Sequence, residues 1–322
     1  RGGLPRSLCG EPMSARLPTW IAERKLSLAS LREVRQVMSA GGLHTVCDEA
    51  RCPNRSECFS RRTATFLIMG DTCTRNCRYC SIAHGKPLPL DPEEPRRLAQ
   101  AARELGLRHV VVTSVDRDDL PDGGASHFAR VIAALRELEP PVTVEVLTPD
   151  FRGLLSAVDT VIAAEPDVYN HNVETVPRLY PQVRRQGRYQ WALAVLARVA
   201  EKAPTMVRKS GIMVGLGETK EEVQQVLRDL RAVNCQVVTV GQYLQPTGKQ
   251  VPVARYWHPQ EFDEIAEYGA SLGLEVIAGP FVRSSYHAEE AFLNVRKGEE
   301  KPAVWKATRR SRPLSVVPSA RA

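Results

Sequence analysis

The sequence predicts an α/β protein built on a parallel sheet, and two observations carry that prediction. From residue 63 onward, short runs rich in Val, Ile and Thr alternate with segments of helical period. Repeated βα units of this kind need parallel strands, because each helix returns the chain to the same end of the sheet. The polar, glycine-bearing or acidic stretches also fall directly after the strands: Gly70-Asp71, the run from Ser114 to Gly124, Thr148-Pro149-Asp150, the run from Asn172 to Thr175, and Gly215-Leu216-Gly217-Glu218. The sheet is either open or closed into a full or partial barrel. In a barrel those loops share the face where chemistry sits.

Residues 1–12 carry Gly, Pro and Arg without a period and are expected to be disordered. Met13 offers an internal start, and the Arg-bearing opening is also compatible with an organelle-targeting remnant. Over 26–38 the apolar residues Leu28, Leu31, Val34, Val37 and Met38 predict a helix, which Gly41-Gly42 ends. Strands are predicted at 65–69, 109–113, 143–147, 168–171, 207–214 and 237–243. Helices are predicted at 95–105, 128–138, 190–202 and 221–232. The stretch from residue 301 is basic, holds several Pro and Ser, and is expected to be flexible.

A chain of 322 residues has room for one barrel-sized domain with extensions, or for two domains. Its 43% hydrophobic and 25% charged residues are those of an ordinary soluble protein. No apolar run approaches the length that spans a bilayer, and the start lacks the apolar segment of a secretory signal. Lys and Arg number 44 against 37 Asp and Glu, a net charge of +7. A solvated basic surface explains that as well as an acidic partner does.

Six of the eight cysteines lie in two compact groups. Cys47, Cys52 and Cys58 read C-x4-C-x5-C, and Cys73, Cys77 and Cys80 read C-x3-C-x2-C. Clustering of this kind favours metal or redox chemistry in a reducing compartment over disulfides. Three thiolates per site leave one position for a substrate, a cofactor or a distant residue, whereas a closed structural site takes four ligands. Pro53 discourages a helix through the first group, so a loop wrapping a metal fits there, and zinc is one candidate occupant. In the second group the offsets would also line one helical face. Asp71, Thr72, Thr74, Arg75 and Asn76 give that face little to pack, and His84 is the sole nearby candidate for a fourth zinc ligand. Cys9 and Cys235 stand alone, and Cys235, flanked by Val233, Val237 and Val238, is expected to be a buried structural thiol.

C-x3-C-x2-C after the first strand of a βα-repeat chain resembles the radical S-adenosylmethionine superfamily. That resemblance implies a [4Fe–4S] cluster on Cys73, Cys77 and Cys80 whose open iron chelates S-adenosylmethionine, which is cleaved to a hydrogen-abstracting 5′-deoxyadenosyl radical. Both triplets together with Arg283-Ser284-Ser285-Tyr286 resemble the lipoyl synthases in content and order. Further matching stretches include Met69-Gly70-Asp71-Thr72-Cys73-Thr74-Arg75, Thr113-Ser114-Val115-Asp116-Arg117-Asp118-Asp119, His171-Asn172-Val173-Glu174-Thr175-Val176 and Gly241-Gln242-Tyr243-Leu244-Gln245-Pro246. The likeness runs from about Leu17 to about Ala291. It departs from the family pattern at Arg185 and Ala192, where Pro and Ser are frequent.

The resemblance implies a partial (β/α)6 TIM-like barrel with an N-terminal auxiliary-cluster extension and a C-terminal closing segment. It divides the chain into a tail at 1–16, the auxiliary-cluster segment at 17–62, the barrel at 63–280, and a C-terminal segment with a flexible basic tail at 281–322. It implies a second [4Fe–4S] cluster on Cys47, Cys52 and Cys58, with Ser285 as fourth ligand and Ser284 as the second choice. A serine oxygen matches a soft iron–sulfur site poorly and should leave more readily than a thiolate. The implied reaction inserts sulfur at C6 and C8 of an octanoyl chain on a carrier lysine, one S-adenosylmethionine per insertion, with the auxiliary cluster sacrificed. Asn172 and Glu174 are assigned to the S-adenosylmethionine pocket, with His171 beside them; burial as satisfied polar residues is the competing reading.

Three further expectations are local. Asp116, Arg117, Asp118 and Asp119 read as a solvated turn, and Arg283 and Tyr286 either hydrogen-bond near the cluster or anchor the terminal segment. Gly215-Leu216-Gly217 lacks a phosphate-loop or dinucleotide fingerprint and is expected to let backbone approach the cofactor.

The rival readings are a tRNA methylthiotransferase, a biotin-synthase-like enzyme and a non-catalytic zinc-binding module. The first lacks its long N-terminal domain and RNA-binding module here, and the second builds its other cluster inside the barrel. The third wants four-ligand sites and basic–aromatic surfaces, against 6% aromatic residues. Expected partners are octanoylated lipoyl carrier domains (2-oxoacid dehydrogenase E2, glycine cleavage H protein), an electron donor such as flavodoxin or ferredoxin, and an iron–sulfur carrier protein. No nucleic acid and no membrane are expected. The expected location is the bacterial cytoplasm, with mitochondrion and plastid as alternatives.

Overall fold

The strands are β1 (His44–Thr45), β2 (Thr65–Ile68), β3 (Thr72–Cys73), β4 (Ala83–His84), β5 (His109–Ser114), β6 (Thr143–Leu147), β7 (Val168–Asn170), β8 (Val207–Val214), β9 (Val237–Gln242) and β10 (Glu275–Gly279). They come from a computed structural model that describes residues 18–22, 28–49, 52, 54, 58 and 64–296. The start expected to be disordered and the tail expected to be flexible lie outside these residues. One sheet runs in the order β1-β2-β5-β6-β7-β8-β9-β10. Every pairing from β2 to β10 is parallel, and β1 is antiparallel to β2 with His44 opposite Leu67. β1 and β10 form the two edges, so the barrel is partial.

The helices Glu94–Glu104, Ala125–Arg136, Leu155–Ala163, Tyr189–Lys202, Lys220–Ala232 and Pro259–Ser271 follow β2, β5, β6, β7, β8 and β9 in turn. These are the expected βα units, and β10 and the helix Ala288–Arg296 extend them. The predicted strands and helices agree with the observed ones to within a few residues. Lys220–Ala232, alone of the four helices predicted in the βα units, adds a side-chain cap: Thr219 accepts from the Glu222 N–H at 3.2 Å while the Glu222 carboxylate accepts from the Thr219 N–H at 2.9 Å. Val223, Val226, Leu227 and Leu230 then fall on one buried stripe.

Leu155–Ala163, Pro259–Ser271, β10 and Ala288–Arg296 went unassigned in the sequence. The first starts at Leu154 with no side-chain cap. The second is capped by His258, whose ring nitrogen accepts from the Gln260 N–H at 3.4 Å, in place of the usual Ser, Thr, Asp or Asn.

The barrel interior is layered along β8, where alternate residues share a face. Val207 packs with Val168, Val237 and Ile277 as an apolar floor. Two residues on, Lys209 pairs with Glu145 at 2.9 Å, both fully buried. Two further on, Gly211 has no side chain to fill the space, and a cavity opens there.

Candidate functional site

Beyond β2 the chain turns sharply through Met69 (φ 68°) and Gly70 (φ 92°). A left-handed methionine is strained, and a carboxylate holds it: the Met69 N–H donates to Glu94 at 3.0 and 3.2 Å. His127 Nε2 donates to that same carboxylate at 2.6 Å, while Arg130 donates to its Nδ1 at 2.9 Å. The loop beyond is tied back on itself. β3 pairs with β4, and the Gly85 N–H donates to the Cys73 carbonyl at 2.9 Å. Cys73, Cys77 and Cys80 therefore sit in a closed loop at the barrel mouth.

Burial pushes the Cys73 and Cys77 thiols up to about 12 and Cys80 up to about 11. Without a cation these thiols stay neutral, and binding iron would release their protons. The Cys73 sulfur already accepts from the N–H groups of Asp116 and Arg75 at 3.3 and 3.4 Å, donors that suit a thiolate ligand. Among the described residues no three His, Cys, Asp or Glu side chains converge as around a single ion. Cys73, Cys77 and Cys80 all line one cavity, and three thiols there are a donor set that fits a [4Fe–4S] cluster.

The loop is locked from behind by a buried ionic network. The guanidinium of Arg75, only 1% exposed, reaches three carboxylates: Asp118 at 2.7 Å, Asp150 at 2.8 Å and Asp116 at 3.3 Å. Asp150 also faces Arg184 at 3.5 Å, and Arg184 donates to the Asn172 carbonyl at 3.1 Å. Asp116 and Asp118 were expected in a solvated turn. That expectation is corrected: the loop after β5 carries the anions that neutralise a cation placed between two cysteines. A basic residue inside the motif and an acidic run after the next strand were the available signal.

Asn172 and Glu174 line the same cavity. Glu174 (φ 67°) bridges to Ile212, and its N–H donates to the Gly211 carbonyl at 3.0 Å. Burial pushes its carboxyl up, against the pull of Arg184. Asn172 Nδ2 donates to the Glu174 carboxyl at 3.3 Å. His171 Nδ1 donates to the Thr148 carbonyl at 2.8 Å. Gly215 and Gly217 do not line the cavity. A Cβ on Gly215 would collide with the Gln242 amide and the Arg255 carbonyl, so this glycine lets the loop close against Gln242, which lines the cavity.

The first triplet is assembled differently. Cys47 lies on the short helix Val46–Glu49, Cys52 donates its N–H to the Cys47 carbonyl at 3.0 Å, and Cys58 donates its own to the Asn54 carbonyl at 2.9 Å. Burial, with Cys52 and Cys58 alongside, pushes the Cys47 thiol far up. Asn54 Nδ2 donates to the Phe281 carbonyl, joining this segment to the one that bears Arg283-Ser284-Ser285-Tyr286. That segment crosses β9 at Gly241, where a Cβ would run into the Val282 carbonyl oxygen. The Arg283 guanidinium donates to the Val282 carbonyl at 2.6 Å, and the Tyr286 ring stacks edge-on against His287.

A single cavity of about 460 Å3 is lined by Cys47, Cys52, Cys73, Cys77, Cys80, Asn172, Glu174, Ser284 and Ser285. Cys58 is half-buried and stands off this lining, against the core. Cys235 is fully buried on β-sheet packing, as expected. His84 is exposed and contacts Asn76 at 3.3 Å.

The profile of the Radical SAM superfamily matches residues 67–230. The chain is 57% identical over 278 residues to the lipoyl synthase of Caldanaerobacter subterraneus subsp. tengcongensis, covering 86% of this chain and 97% of that one. It is 54% identical over 283 residues to the lipoyl synthase of Methylococcus capsulatus, covering 87% of each. Among solved structures it is similar in fold to HydG, a maturase of the [FeFe]-hydrogenase, with a TM-score of 0.54, 18% identity, and 72% of this chain and 54% of that one covered. Methylornithine synthase (PylB) gives a TM-score of 0.51 at 13% identity, covering 80% of this chain and 77% of that one.

Proposed function

The chain belongs to the lipoyl synthase family of radical S-adenosylmethionine enzymes, and from that premise we infer how its residues divide the work. It is a sulfurtransferase that inserts two sulfur atoms, at C6 and C8, into a protein-bound octanoyl-lysine, and it acts on lipoyl carrier proteins. S-adenosylmethionine and two [4Fe–4S] clusters are its cofactors, and when bound they supply one-electron cleavage and the sulfur. The observation that carries the assignment of residues is the single cavity shared by thiols of both triplets and Ser285.

In this reading Cys73, Cys77 and Cys80 hold the cluster that faces S-adenosylmethionine, and Cys47, Cys52, Cys58 and Ser285 hold the auxiliary one. Asn172 and Glu174 offer an amide and a carboxyl to S-adenosylmethionine at the wall facing the first site. Ile82, Leu147, Met213 and Leu244 line the cavity and suit an acyl chain lying between the two sites. Arg75 and Arg184, tied to Asp150, hold that wall and the cysteine loop at a fixed separation, so that reacting groups meet without further ordering. Residues 17–62 then form the auxiliary segment, 63–280 the barrel, and 281–322 the closing segment and tail. The carriers are E2 domains and the H protein, with flavodoxin or ferredoxin as reductant and an iron–sulfur carrier to rebuild the cluster. No helix among the described residues is long and apolar enough to cross a membrane, and the bacterial cytoplasm is the location we propose.

The test is an anaerobic assay of reconstituted protein with S-adenosylmethionine, a reductant and an octanoyl-lysine peptide, read by mass spectrometry. Product with two added sulfurs is expected. Cleavage of S-adenosylmethionine without any sulfur in the peptide would overturn the division of labour between the two sites.

A further inference from the structure

We propose that Ser284 and Asn170 are positioning residues: they anchor the closing segment from inside the barrel so that Ser285, and not Ser284, is presented to Cys47 and Cys52. The proposal rests on the reading of Ser285 as the auxiliary ligand and deepens it. Its basis is a hydrogen-bonded chain that leads from the buried ion pair to the cavity wall.

The chain begins at Glu145, which Lys209 holds at 2.9 Å and His109 at 3.3 Å. Asn170 Nδ2 donates to Glu145 at 3.1 Å and to the Ser284 hydroxyl at 2.7 Å. Ser284 donates in turn to Asn172 Oδ1 at 2.9 Å, and Asn172 Nδ2 donates to Glu174 at 3.3 Å. The directions at Asn170 and Ser284 follow from the first bond. A carboxylate paired with an ammonium can only accept, so the Asn170 amide nitrogen must face it, and that same nitrogen leaves Ser284 to accept. The Ser284 proton is then free for Asn172 alone, whose own amide nitrogen is committed to Glu174. Turning Asn170 would set its amide oxygen against the Glu145 carboxylate and take the donor away from Ser284, so the ion pair fixes the direction at this end of the network.

Ser284 is thereby occupied as donor and as acceptor, and turning it toward iron would strip both Asn170 and Asn172. Ser285 makes no hydrogen bond among the described residues and lines the cavity with Cys47 and Cys52. Gly211 makes room for this: a Cβ there would stand 2.8 Å from Asn172 Oδ1. The anchor also joins the two halves of the site, since Asn172 belongs to the S-adenosylmethionine wall. The segment that holds the auxiliary ligand is fixed to the wall that holds the radical source.

The test follows iron release from the reconstituted holoenzyme to a chelator. The auxiliary phase is identified as the one missing from Cys47→Ala protein. Ser284→Ala and Asn170→Ala are each expected to speed that phase about tenfold, the scale of a lost hydrogen bond. Ser285→Ala should speed it more, and Ser284→Ala/Ser285→Ala should match Ser285→Ala alone, because a positioning residue has nothing left to position. If Ser284→Ala and Asn170→Ala keep the wild-type rate while Ser285→Ala is fast, the anchoring is wrong. Rates that multiply in the double variant also overturn it. An unchanged rate in Ser285→Ala sinks the ligand reading itself. Asn170→Ala, checked by its own thermal unfolding, decides the matter if Ser284→Ala fails to fold.

Discussion

Both triplets reach one cavity, the first through Cys47 and Cys52, but they are held by different means. Cys73, Cys77 and Cys80 lie within one loop, closed on itself by β3 and β4 and braced by Arg75 on three carboxylates. Cys47, Cys52 and Cys58 depend on the far end of the chain, through Asn54 on Phe281 and through the segment that Ser284 anchors. A short, densely bonded loop keeps its geometry without help, whereas a site spanning both ends of the chain can open when one end moves. On the division of sites proposed above, rigidity falls at the radical site and release at the auxiliary site.

The largest contrast should come from the cysteines themselves. Cys73→Ala is expected to abolish S-adenosylmethionine cleavage, while Cys47→Ala should still form 5′-deoxyadenosine and insert no sulfur. Chromatography of the nucleoside beside mass spectrometry of the peptide reads both, and equal loss in the two variants would break the comparison. Next in size is the brace. Asp150→Ala leaves Arg75 and Arg184 short of a buried anion and should cost about 3–5 kcal/mol in urea unfolding, with iron lost first from the radical site. A stability within experimental error of wild type would show that Asp116 and Asp118 suffice.

A pH effect on the same half is somewhat smaller. Burial, with Arg184 and Arg75 nearby, lowers His171 to about 4, against the partial opposition of Asp150. The unfolded imidazole takes its proton near 6.5 and the folded one only near 4. Between those values the unfolded state binds more protons, so stability falls as pH drops through that window, by up to about 3 kcal/mol. His171→Gln should flatten the slope measured by urea unfolding from pH 7 to 5; an unchanged slope would assign it elsewhere. The smallest effect is expected on the auxiliary side. Gly241→Ala pushes the Val282 carbonyl and should cost about 1–3 kcal/mol, loosening auxiliary iron while the radical cluster keeps its absorbance. Equal loss at both sites would mean the closing segment supports the whole barrel.

What could be read in advance depended on how local each signal was. The six strands and four of their helices announced themselves through apolar period; of the four helices only Lys220–Ala232 adds a side-chain cap. Leu155–Ala163 did not stand out, being only nine residues long, and Pro259–Ser271 opens on a histidine cap. The cysteines were legible for the same reason as the strands: spacing within a short segment is a property of the chain. The sequence by itself determined the parallel α/β class, the two triplets and the family resemblance that singled out Ser285. Only the tertiary structure decided that Arg75 is neutralised by Asp116, Asp118 and Asp150, that Gly215 packs against Gln242 and Arg255, and that Ser284 is bonded on both sides. Ion pairs and directed hydrogen bonds join residues far apart in sequence, and no local period or spacing encodes which partners the folded chain brings into bonding range.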